Sequence, residues 1–119
     1  MQKTLRQQIE DIGVLKAGWT TFGIKFKKNV EYGGEACMGL TDFDSCEIFI
    51  RESNNDNVIR ATMIHEMWHV IFSTMGVRAD DEDAHTQLVK TNEFLVEQAT
   101  RGSLLFKQLN PQLWKALYG

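Results

Sequence analysis

The segment from Val58 to Gly76, VIRATMIHEMWHVIFSTMG, constrains the fold of this chain more than any other. Apolar residues recur on most sides of it (Val58, Ile59, Ala61, Met63, Ile64, Met67, Trp68, Val70, Ile71 and Phe72), which predicts a central helix packed all round rather than a surface helix. Asn55 or Asp56 can cap its start and Gly76 can end it, giving a length of about 20 residues. Inside it, His65-Glu66-Met67-Trp68-His69 reads H-E-x-x-H. On a helix this spacing sets both imidazoles on one face, one turn apart, where they can grip a single divalent ion. Glu66 lies about 100° round from His65 and can reach a water at that ion to take its proton. The bland alternative is a pair of core histidines bonded to neighbouring groups, and it leaves two buried imidazoles in need of partners.

A chain of 119 residues is expected to form a single domain with a modest core of its own. The formal net charge of −3 argues against general nucleic-acid binding, because no basic run exceeds Lys25, Lys27 and Lys28, most simply a solvated strand face. No apolar run is long enough to span a bilayer, and MQKTLRQQIED lacks the apolar core of a signal peptide. The expected compartment is therefore the cytoplasm, where Cys37 and Cys46 would be free thiols.

Along the chain, Leu5, Ile9, Ile12 and Leu15 form one stripe of a helix predicted over about Thr4 to Lys16. Gly18 breaks it, and the alternation of Trp19, Phe22, Ile24 and Phe26 predicts a first strand. Gly33-Gly34 is a turn, and strands are predicted over Glu35 to Thr41 and Cys46 to Arg51, making an antiparallel sheet of about three strands before the long helix. After Gly76, the acidic residues Asp80 to Asp83 suit a helix start, so a helix is predicted from Asp81 to Thr100, closed by Arg101 and Gly102. Asn110-Pro111 opens a short last helix through Leu113, Trp114 and Leu117. Helix, sheet and three further helices make the class α+β.

A catalytic zinc takes three protein ligands and keeps one position open, so a third ligand must lie outside the motif. In the helix predicted from Asp81, His85 and Asn92 fall in the middle of the apolar side, with Asp81 one turn before His85. Glu82 sits on the edge of that side, and Glu93 and Glu97 point away. His85 is the first choice for the third ligand, with Glu82, Glu93 and Asp81 as alternatives. The bland reading makes His85 a core histidine satisfied by Asp81 or Asn92.

The strand CEIFIRES, a polar loop, the helix carrying MIHEMWH and then His85 opening HTQLVKTN together resemble the SprT-like zinc metallopeptidases over about Glu35 to Asn92. That resemblance implies a histidine third ligand, His85; Thr86 follows it where the family usually has glycine. The chain also resembles the small H-E-x-x-H proteins of bacteriophage genomes and the IrrE-like peptidases. There a glycine ends the motif helix, an acidic stretch supplies a glutamate ligand and a late Asn-Pro opens a closing helix, a likeness carried by Gly76, Asp80 to Asp83 and Asn110-Pro111 that would promote Glu82. Asn92, Glu93 and Glu97 resemble the ligand pattern of the glutamate zincins. Together these likenesses imply a minimal zincin-like fold over residues 1–119, with Cys46 to Arg51 as the strand beside the cleft, its free edge open to an extended substrate.

The function expected from this sequence is zinc-dependent hydrolysis of peptide bonds in another protein, encoded by a phage or a bacterium. His65, His69 and His85 would hold Zn2+ and Glu66 would serve as the base. Tyr32, Tyr118 and Arg101 are chemically able to steady the oxyanion. The alternative, from another class, is a non-catalytic metal-stabilised domain that binds a protein partner. No autonomous nucleic-acid binding and no membrane association are expected.

Overall fold

The computed structural model describes residues 2–76 and 92–119, with side chains from 97 onward in the second stretch. Among these residues there are four α-helices, a four-stranded mixed sheet and a two-stranded hairpin, an α+β arrangement. No helix in them is long and apolar enough to cross a membrane.

Helix α1 (Leu5–Ile12) starts on a capping box in which Thr4 and Gln7 satisfy each other's backbone N–H groups. It stops earlier than expected, because Gly13 takes the left-handed conformation (φ 73°) and its N–H returns to the Ile9 carbonyl. Leu15 therefore leaves the helical stripe and enters strand β1 (Val14–Lys16), where it is fully buried. Strand β2 (Thr21–Lys27) follows a tight turn and points Phe22 and Ile24 into the core. Trp19 falls outside it and is 60% exposed.

The segment expected as one strand over Glu35 to Thr41 is split at Met38 between two sheets. Its first half, β4 (Glu35–Cys37), pairs with β3 (Val30–Tyr32) around Gly33-Gly34, and its second, β5 (Gly39–Asp42), pairs with β6 (Glu47–Arg51). The main sheet runs β1-β2-β6-β5, with β2 and β6 parallel in the register Ile24 to Ile48. It is thus larger than the expected three strands, and it is mixed. The β5–β6 turn is held by Asp42, whose carboxylate accepts the backbone N–H groups of Ser45 and Asp44 and is kept below the usual carboxylate range chiefly by Ser45. Lys25, beside Glu47 on the face away from the helices, likewise holds that carboxyl low.

Helix α2 (Asp56–Thr74) begins at Asn55, whose side chain accepts the Asn57 N–H, and Gly76 follows it with φ 81°, as expected. It touches α1, β5, β6 and both later helices. Ile59, Met63, Met67, Val70 and Ile71 supply the middle of the core against Leu15, Phe22, Ile48 and Ile50 from the sheet. The expectation of packing on every side fails along one stripe: Ala61, His65 and His69 are exposed. Spaced four apart, they face away from the sheet.

Helix α3 (Asn92–Leu109) runs through Arg101 and Gly102 instead of closing there. Gly102 is buried against α2, and a Cβ on it would overlap Ile71 Cγ2, so this glycine permits a close helix–helix approach. The residues of the expected helix before Asn92 lie outside the described ones. Helix α4 (Pro111–Tyr118) has proline in its first turn and buries Leu113 and Leu117. Asn110 stands at its cap position, yet its side chain does not cap; it bonds instead to the backbone of Lys16 on β1.

Candidate metal centre

The exposed stripe of α2 carries the site. His65 Nε2 and His69 Nε2 lie 3.0 Å apart, with their rings close to perpendicular at 78°. Lone pairs on two neutral imidazole nitrogens repel at this separation, so one ring must donate a proton to the other or a cation must sit between them. Two nitrogens bound at about 2.0–2.1 Å to one tetrahedral ion would stand about 3.3 Å apart, a change of only a few tenths of an ångström.

Glu66 completes the group. One ligand atom from each of His65, Glu66 and His69 lies within 4.8 Å of the others, and this trio can hold a metal ion. Unlike the imidazoles, Glu66 is buried, at 5% exposure, because its position on the helix turns it toward β5. There Thr41 Oγ1 donates to Glu66 Oε1 at 2.9 Å, fixing the carboxylate in one orientation while its second oxygen takes no such partner among the described residues. Gly39 makes room for it. A Cβ at that position would come within 2.6 Å of Thr62 Cγ2 and 3.1 Å of both Glu66 Cγ and Oε2.

Gly39→Ala is therefore expected to destabilise the fold by about 1–3 kcal/mol through overpacking. Urea unfolding followed by circular dichroism measures it, and an unchanged midpoint would show that β5 and α2 separate without cost.

The free edge beside the site is on a different strand from the one expected over Cys46 to Arg51. Strand β6, within the stretch Cys46 to Arg51, is interior to the sheet, flanked by β2 and β5, and so has no free edge. The edge strand against α2 is β5. Neither Gly39 nor Thr41 was singled out from sequence, although their alternation within GLTD places both on one strand face once β5 is known.

His85, Glu82 and Asp81 lie outside the described residues, as does the side chain of Glu93. Glu97 is exposed and pairs with Arg101 at 2.9 Å, in keeping with a residue turned from the core. Of the groups considered for the oxyanion, Arg101 is thus engaged by Glu97, Tyr32 is 71% exposed on the β3–β4 hairpin, and the Tyr118 hydroxyl accepts from Trp68 Nε1 at 3.4 Å. Cys37 and Cys46 are free thiols. No match to this chain was found among known protein families, curated proteins or solved structures.

Proposed function

We propose that this chain is a zinc-dependent peptidase acting on a polypeptide substrate. The observation that carries the reading is the convergence of two exposed imidazole nitrogens, 3.0 Å apart, beside a buried and oriented carboxylate. His65 and His69 would hold the ion, with His85 as the third ligand and Glu82 as its alternative. Imidazole donors in a tetrahedral set suit zinc among the common divalent metals. When bound, zinc supplies Lewis acidity to the scissile carbonyl and to the attacking water.

The remaining work falls to residues of the chain. Glu66 accepts a proton from the attacking water and delivers it to the departing amine nitrogen. Thr41 keeps the carboxylate aimed by occupying one of its oxygens. His65 and His69 are both exposed, so a polypeptide can reach an ion held between them. Strand β5, at the edge of the sheet, is the place where an extended substrate chain can add.

Metal removal tests the reading. Protein treated with 1,10-phenanthroline is expected to lose cleavage of an unfolded protein substrate and to regain it on addition of one equivalent of zinc. Cleavage that survives chelation would refute a metal-dependent reaction.

A further inference from the structure

Helix α4 is short, yet it presents two apolar faces. Leu113 and Leu117 go into the core, while Pro111, Trp114 and Tyr118 follow one another at helical spacing on the outer side, with Tyr118 48% exposed. Facing them on α3 is Leu104, 59% exposed, and the two helices border an open groove of about 720 Å³ along these side chains. That volume is in the range of sites that take a compact ligand, about 300–1,000 Å³.

The groove is lined by Lys107 from α3 and Lys115 from α4, and among the described residues no acidic side chain lines it. An apolar floor between two ammonium groups complements apolar side chains that alternate with carboxylates. Tyr118 also accepts from Trp68, the residue before His69, which ties the groove to the helix that carries the imidazoles, and the Trp68 ring packs on Phe72 at 5.4 Å in an aromatic strip. At Trp114 the strip continues, its ring 4.7 Å from that of Tyr118.

We propose that the groove between α3 and α4 binds an apolar, acidic polypeptide segment, which selects the substrate presented to the metal centre. This deepens the peptidase reading and rests on it for the identity of the segment as substrate.

The test is fluorescence anisotropy on Glu66→Gln protein, so that nothing is cut, with a labelled short peptide carrying Leu and Phe at i and i+4 spacing and Glu between them. Binding is expected to weaken about tenfold or more in Lys107→Glu/Lys115→Glu, and similarly in Leu104→Ser, all exposed positions whose substitution leaves the core intact. A peptide with Lys in place of Glu is expected to bind wild-type groove residues about tenfold less well and the charge-reversed variant better. Equal binding of both peptides, or affinity indifferent to these variants, would overturn the proposal. So would binding only to vesicles of phosphatidylcholine and phosphatidylglycerol, which would make the groove a lipid surface, or only self-association of the chain that Leu104→Ser abolishes. Peptide binding without cleavage by the wild-type, zinc-loaded chain removes the peptidase reading and leaves the groove's specificity standing. Cleavage that ignores the groove variants does the reverse.

Discussion

Glu66→Gln is expected to retain the bound metal and to cleave at least about a thousandfold more slowly than the native chain, within the range by which a general base accelerates such reactions. The substitution is nearly isosteric. The glutamine side-chain oxygen can still accept from Thr41 Oγ1, and the position remains filled against Gly39 and Thr62, so the fold and the two imidazoles are left in place. What is lost is basicity: an amide does not take a proton from water near neutral pH. Metal content by plasma mass spectrometry and cleavage under saturating substrate separate the two properties. A variant that still cuts at the native rate would show that Glu66 is not the base, and a variant that loses the metal would make Glu66 a ligand instead.

The largest effect on stability outside the hydrophobic core is expected at Asn110. Its side chain is almost fully buried and answers both backbone groups of Lys16: Oδ1 accepts the N–H at 2.7 Å and Nδ2 donates to the carbonyl at 2.8 Å. A further bond from Nδ2 reaches the Phe106 carbonyl at 3.2 Å. One residue thus seals the outer edge of β1 and ties the sheet to the junction of α3 and α4. Asn110→Ala leaves a partly buried donor and acceptor without partners, at about 1–3 kcal/mol for each group left wanting, so a total of about 2–6 kcal/mol is expected. With urea slopes of about 1–3 kcal/mol per molar for small proteins, the unfolding midpoint should fall by about 1–3 M. Asn110→Asp should cost as much, because a carboxylate there would face two carbonyl oxygens. Midpoints equal to the native value would mean that water replaces Asn110 at this edge.

Local chemistry explains which parts of the fold could be read from the sequence. The limits of α2 and the start of α4 rest on signals within a turn of the boundary: Asn55 bonding the Asn57 N–H, Gly76 at positive φ, and Pro111 in the first turn. The H-E-x-x-H spacing is equally local, and it brought His65 and His69 together as expected. Glycine misled in both directions. Gly13 ends α1 where the apolar stripe invites continuation to Leu15, while Gly102 has the look of a terminator although its role is to let α3 approach Ile71.

The pairing of β2 with β6 was out of reach for a different reason. Alternation tells which residues share a face, but it does not name the neighbouring strand, and a parallel pair joins segments far apart in the chain. The same limit hid Thr41 as the partner of Glu66 and placed the edge beside the site on β6 instead of β5. Asn110 shows the limit most clearly. Its cap position was legible from the proline after it, whereas its hydrogen bonds to Lys16 exist only because tertiary packing brings β1 to α4.

Anomalous diffraction at the zinc edge, from crystals grown with one equivalent of zinc, most directly tests whether the imidazole pair of α2 is a metal centre. The account predicts a single strong peak about 2.0–2.1 Å from both His65 Nε2 and His69 Nε2. A peak bound elsewhere, or two imidazoles joined by a hydrogen bond with zinc left in solution, would contradict it.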